Sequence, residues 1–224
     1  MPDEFIDSSN QDAPVRGYLH LPSAPGANGL ILTHGAGANC QSALVTTLAD
    51  AFSAAGFTVL RCDLPFRQLR PHGPPPRGSA ARDQEGLRAA VQSMRRRLEG
   101  MVFLGGHSYG GRQASILAAQ EPKLVDGLLL LSYPLHPPQK PAELRTGHFP
   151  GLRTPALFVS GTKDGFGSIA EITSAIRLIP APVKLISVPG AGHELMTSRN
   201  RTELIDLLLP EFLAFTGWKG DRAL

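Results

Sequence analysis

Apolar residues along this chain fall in short, nearly unbroken runs, and between the runs they recur every three or four positions. The runs at 29–34, 57–62, 101–105, 127–133, 155–160 and 183–188 predict strands that are apolar on both faces. The segments around 41–55 and over 79–98, 111–120, 168–178 and 201–215 predict helices. Strands without a polar face, alternating with helices, predict an α/β fold. Its central sheet is mostly parallel, with helices covering both faces. Residues 15–21 precede the repeats and are expected to form an antiparallel edge strand. Two stretches break the pattern. Residues 64–78 are rich in Pro, Arg and Gly, and residues 134–154 carry Pro134, Pro137, Pro138, Pro141 and Pro150. Each leaves the C-terminal end of a strand, so both should border a site. Neither is long enough for a lid domain, which predicts an open site.

The length of 224 residues predicts one domain over 1–224, and an apolar content of 42% is ordinary for a globular chain. No apolar run is long enough for a membrane span. Met1-Pro2-Asp3-Glu4 is acidic and lacks the pattern of a signal peptide, and Cys40 and Cys62 are too few for a disulfide framework. A cytoplasmic location with reduced thiols is the expectation. The net charge is +3, but Arg61, Arg67, Arg70, Arg77, Arg82, Arg88, Arg95, Arg96 and Arg97 crowd one region. There Leu87, Val91, Met94 and Leu98 recur at helical spacing, which places Arg95, Arg96 and Arg97 on a solvated helix face. No run of aromatic residues accompanies them, so nucleic acid is not an expected partner.

The chemistry centres on Gly106-His107-Ser108-Tyr109-Gly110, between the predicted strand at 101–105 and the helix at 111–120. A serine between two glycines, at the junction of strand and helix, is the pattern of the nucleophile elbow in the α/β-hydrolase fold. The serine needs a strained turn, and the glycines stand where a Cβ would crowd the neighbouring strand and helix. In this fold an acid and then a histidine follow the serine in chain order. Asp164 lies just past the predicted strand at 155–160, and His193 lies in the loop Pro189-Gly190-Ala191-Gly192-His193-Glu194 after the strand at 183–188. Asp164-Gly165 alone also fits a plain turn, and His193 alone a loop histidine. Together they place three residues of the right type, in the right order, at one edge of the sheet. The strand at 127–133 is followed by no acid, and Asp126 lies at its other end.

A fourth element is Gly35-Ala36-Gly37-Ala38, after the strand at 29–34. It predicts an oxyanion hole made by the amides of Ala36 and Tyr109. A phosphate loop is the rival reading, but neither of its glycine patterns occurs. His34 and His107 flank the site as candidate pocket residues. With His193 they lack the spacing of a zinc motif, so no metal is expected, and the chemistry needs no cofactor.

The chain resembles the small, cap-less α/β-hydrolases related to dienelactone hydrolases. Within them it is most similar to the subgroup of the testis-expressed hydrolase-like protein and a regulatory subunit of a histone acetyltransferase complex. The stretches that carry this are Leu32-Thr33-His34-Gly35-Ala36-Gly37, Gly106-His107-Ser108-Tyr109-Gly110-Gly111-Arg112, Ser132-Tyr133-Pro134-Leu135-His136-Pro137-Pro138 and Leu157-Phe158-Val159-Ser160-Gly161-Thr162-Lys163-Asp164. The resemblance implies an α/β-hydrolase fold without a lid and adds Tyr133 and His136 as candidate pocket residues. Dienelactone hydrolases proper use a cysteine where this chain has Ser108, which turns the expectation to hydrolysis of carboxylic esters or thioesters. The expected partner is therefore a small-molecule ester or thioester. The alternative is a hydrolase-fold interaction module or complex subunit with a protein partner on the arginine-rich surface. Three matched residues at strand ends argue against it.

Overall fold

The computed structural model describes residues 2–24 and 26–217. Met1, Pro25 and residues 218–224, which the single-domain expectation includes, lie outside the described residues. The sheet begins with β1 (Asp3–Asp7), which pairs antiparallel with β2 (Val15–His20), and β2 pairs antiparallel with β4 (Thr58–Cys62). From there every pairing is parallel, through β3 (Gly29–Thr33), β5 (Val102–His107), β6 (Gly127–Leu131), β7 (Ala156–Gly161) and β8 (Val183–Val188). The strand order is β1-β2-β4-β3-β5-β6-β7-β8.

The strands read as apolar on both faces because both faces are covered. On one side Ile31, Leu60, Leu104, Leu128 and Leu130 pack under α3 (Ala80–Arg95) and α4 (Tyr109–Gln120). On the other, Leu30, Leu32, Val59, Phe103 and Leu129 pack under α1 (Ala43–Ala54) and α6 (Arg201–Thr216). Phe52, Phe103 and Phe212 meet there edge to face, with ring centroids 5.0 and 5.2 Å apart. Burying side chains of this size contributes roughly 2–3 kcal/mol each.

Several boundaries differ from the sequence expectation. The segment at 15–21 was expected at the sheet edge, yet β1 lies outside it. Only Phe5 of β1 is buried, so the strand has almost no apolar pattern to announce it. The irregular stretch after β4 contains a short helix, α2 (Pro65–Leu69), with proline at its start where a missing N–H costs nothing. β5 runs on to His107 and α4 starts at Tyr109, because the glycines between them serve close packing rather than chain breaking. The helix α5 (Ile169–Ala175) opens with a capping box made by Ser168 and Glu171 and ends in a 3₁₀ turn at Ile176–Leu178.

The arginine-rich region divides in two. Arg95 pairs with Asp126 (2.7 Å), Arg96 with Asp7 (2.6 Å), and Arg88 with Glu85 and Glu121, all on the outer face of α3 or beside it. Exposed pairs of this kind contribute about 0–1 kcal/mol each. Arg61 and Arg67, by contrast, are buried. Arg61 donates to His20 Nε2 (2.8 Å) and to the Cys40 carbonyl (2.9 Å). Cys40 and Cys62 are buried free thiols, and burial pushes the Cys40 thiol up to about 12. Among the described residues no helix is long and apolar enough to cross a membrane.

Candidate active site

The parallel strands deliver their C-terminal ends to one edge of the sheet, and the three candidate catalytic residues meet there. Ser108, between β5 and α4, has φ 50° and ψ −114°, a conformation that side chains resist. Its amide donates to the Leu131 carbonyl (2.8 Å), and its carbonyl accepts from the Arg112 amide (2.9 Å), which ties the turn to β6 and to the helix. A Cβ at Gly106 would lie 2.6 Å from the Gly111 nitrogen, and one at Gly110 would lie 2.5 Å from the His34 carbonyl oxygen. Glycine at both positions is what lets strand, helix and the neighbouring loop close around the serine.

Asp164 and His193 stand on loops joined to each other. The Lys163 amide donates to the Ala191 carbonyl (2.8 Å) and the Gly190 amide to Thr162 Oγ1 (2.8 Å). His193 Nδ1 lies 2.9 and 3.0 Å from the two Asp164 carboxylate oxygens, and His193 Nε2 lies 2.8 Å from Ser108 Oγ. A carboxylate accepts, so Nδ1 carries the proton and Nε2 is free to accept from the serine hydroxyl. The Asp164 side chain is fully enclosed, and Oδ1 also accepts the Phe166 amide (2.8 Å). The Phe166 ring stacks on the imidazole at 4.0 Å, which fixes the plane of the ring.

Ala36 and Tyr109 line the same cleft as Ser108, and neither amide has an acceptor among the described residues. The cleft has a volume of ≈ 660 Å³. Pro74 and Pro75 border it from one irregular stretch, Pro134 and Arg145 from the other, and no lid covers it among the described residues. Of the four candidate pocket residues, only His107 lines the cleft. His107 Nε2 faces the His193 carbonyl at 2.8 Å, so it donates and holds the histidine loop. The other three expectations are corrected. His34 is buried, with Nδ1 donating to the Gly35 carbonyl (2.8 Å) and Nε2 accepting the Leu64 amide (3.2 Å). Tyr133 is packed on Phe149 and Phe158 and donates to the Arg145 carbonyl (2.6 Å). His136 is buried with Nδ1 donating to the Pro137 carbonyl (2.8 Å). In each case the side chain turns into the core, where it holds a loop.

Two residues outside the sequence-derived set support the site. Arg67 is buried and donates to four carbonyls, those of Ala36 (2.7 Å), Ala38 (2.7 Å), Arg70 (3.0 Å) and Gly73 (3.0 Å). It therefore fixes the loop that carries the Ala36 amide. Asp83 is fully buried and accepts from the Tyr109 hydroxyl (2.7 Å), the Phe66 amide (3.0 Å) and Ser79 Oγ (3.1 Å). It anchors Tyr109, the residue after Ser108. Asp83 had a signal in the sequence, since it lies four residues before Leu87 on the apolar stripe of α3. Nothing in the pattern separated Arg67 from the arginines around it. Among the described residues no three His, Cys, Asp or Glu side chains cluster as a metal site requires.

Burial holds His20, His34, His107 and His148 below the ordinary histidine range, and for His148 burial and the charge of Arg112 bring the value to about 4. A histidine depressed in the folded state takes up its proton first in the unfolded chain. Its contribution to stability is therefore present above the unfolded value of 6.5 and is lost as pH falls from there towards the folded value. The urea midpoint is expected to fall steadily from pH 7 to pH 4.5, and less steeply in His148→Gln. A midpoint that stays level over that range would contradict the assignment.

The alpha/beta hydrolase domain family model matches residues 26–211. The fold is similar to that of an alpha-beta serine hydrolase homologue from Coxiella burnetii, at 19% identity and a TM-score of 0.74, over 93% of this chain and 96% of that one. It is also similar to a dienelactone hydrolase from Anabaena variabilis, at 21% identity and a TM-score of 0.72, over 95% and 97%. A serine hydrolase without a lid from Xanthomonas campestris aligns at 18% identity and a TM-score of 0.73, over 95% and 94%.

Proposed function

The chain belongs to the alpha/beta-hydrolase domain family, and from that premise we propose that it is a serine hydrolase of carboxylic esters or thioesters. The observation that carries this is the continuous hydrogen-bond chain from Ser108 through His193 to Asp164. Ser108 Oγ attacks the carbonyl carbon while His193 Nε2 takes its proton. Asp164 holds the Nδ1 proton and stabilises the imidazolium that forms. The amides of Ala36 and Tyr109 receive the oxyanion, and donors of this kind contribute roughly 3–4 kcal/mol each. As the tetrahedral intermediate collapses, the bond to the alkoxide or thiolate breaks and the Nε2 proton passes to it. Water then repeats the sequence on the acyl-serine and returns the enzyme to its starting state. The small residues on the loop from Gly35 to Ala38 leave room for a substrate to approach the two amides.

Rapid-quench mass spectrometry with p-nitrophenyl butyrate tests the covalent step. The expected result is a butyryl adduct on the peptide that carries Ser108, formed in a burst no slower than steady-state turnover. Turnover without any adduct on that peptide, even when deacylation is slowed at low pH, would count against the acyl-enzyme.

A further inference from the structure

Arg112 lies one helical turn after Ser108, about 6 Å along the axis of α4. Side chains on a helix lean towards its N-terminus, so the guanidinium of Arg112 leans back towards the serine. It lines the cleft, half-buried, and its Nε is enclosed with no hydrogen-bond partner. Arg145 lines the same cleft from the stretch between β6 and β7. Its backbone is pinned, since its amide donates to the Leu135 carbonyl (2.8 Å) and its carbonyl accepts from Tyr133 (2.6 Å). Among the described residues its guanidinium makes only a long bond, to the Pro134 carbonyl (3.4 Å). Neither arginine forms an ion pair among the described residues, whereas Arg88 and Arg95 of α3 and Arg96 just past its end, outside the cleft, each do. Glu143, the acid nearest Arg145 in sequence, is already paired with Lys140 (2.8 Å), and Glu194 lines the cleft beside His193.

The two cations also act on each other. Burial lowers the affinity of Arg145 for its proton, and the charge of Arg112 lowers it further. The same charge acts on His148 and on Tyr133. Glu143 offsets part of the effect on Arg145 at a distance, but it forms no ion pair with Arg145. Two like charges held in a half-buried wall with no carboxylate in ion-pair contact are a cost that a bound anion would lower. We infer that Arg112 and Arg145 form an anion subsite, which takes a carboxylate or phosphate carried by the ester or thioester substrate. The inference rests on the hydrolase function proposed above and narrows its substrate class. Guanidinium groups suit both anions, because their planar forks can meet two oxygens at once.

Three esters separate the sources of charge: phenyl butyrate is neutral, monophenyl adipate carries a carboxylate on the acyl side, and 4-(phosphonooxy)phenyl butyrate carries a phosphate on the leaving group. The readout is the ratio of kcat/KM for each charged ester to that for the neutral one, in wild type and in Arg112→Met, Arg145→Met and the double variant. At least one charged ester is expected to lead by about tenfold or more, the scale of one charge-assisted contact. That lead should shrink with added salt and vanish in the double variant. A wild-type ratio of one or below for both charged esters, or a ratio that the substitutions leave unchanged, would overturn the inference. Calorimetry on Ser108→Ala with monophenyl adipate and with inorganic phosphate reads binding without chemistry. Binding that the double variant weakens by about tenfold or more supports the subsite. No binding of either probe counts against it. If binding follows the arginines while wild type hydrolyses no ester, the hydrolase function fails and the subsite stands. If the neutral ester turns over with no preference for charge, the reverse holds.

Discussion

Ser108→Ala is expected to lower kcat for a p-nitrophenyl ester by about 10⁴- to 10⁶-fold, with His193→Ala in the same range. The two losses should not multiply, because the serine and histidine act as one unit. The double variant is expected to be no slower than the poorer of the two singles. Asp164→Asn tests the tautomer. An amide that presents its NH₂ to His193 Nδ1 would favour the proton on Nε2, where it cannot accept from the serine, at a cost of about 10⁴ in kcat. Ser108→Gly adds a second signature. At φ 50° the serine is strained and glycine is not, so this variant should lose activity while gaining about 1 kcal/mol in stability. A residue kept for packing would show the opposite sign. Urea denaturation beside the kinetics decides between them.

Arg67→Met is the second large effect. The substitution removes the donors to four carbonyls at once, and an unsatisfied buried acceptor costs about 1–3 kcal/mol. Some of those carbonyls will find water, so a net loss of about 3–5 kcal/mol in unfolding free energy is expected. The activity that remains should fall by about 10- to 100-fold, because the loop carrying Ala36 is no longer held and its amide loses its aim at the oxyanion. Arg67→Lys keeps the charge but not the planar fork, and should recover only part of either loss. A variant with full stability and full activity would show that the loop is fixed by other contacts.

The fold was legible where physical constraint leaves a visible trace. Strands covered on both faces must be largely apolar, so β3 to β7 stood out as nearly unbroken runs, even with the hydrogen-bonded Arg61 in β4. The glycines around Ser108 are required because a Cβ there would lie about 2.5 Å from backbone atoms, and that requirement appears directly as a motif. Asp164 and His193 were legible through their place at strand ends, and the structure brings them to within hydrogen-bond distance of each other and of Ser108. β1 was not legible, because a strand with one buried residue has no pattern. A place beside the site suggested His34, and the family resemblance suggested Tyr133 and His136, as pocket residues, but neither gives side-chain direction, and all three turn inwards. Arg67 and Arg112 show the same limit from the other side. Their roles depend on which carbonyls and which empty space surround a guanidinium, and hydrophobic patterning does not encode that.

The most direct test of the central claim is labelling of the purified protein with a fluorophosphonate probe, followed by peptide mapping. The account predicts one adduct, on Ser108, absent from Ser108→Ala and greatly slowed in His193→Ala. A folded wild-type protein that takes no label, or takes it elsewhere with Ser108 unmodified, would contradict it.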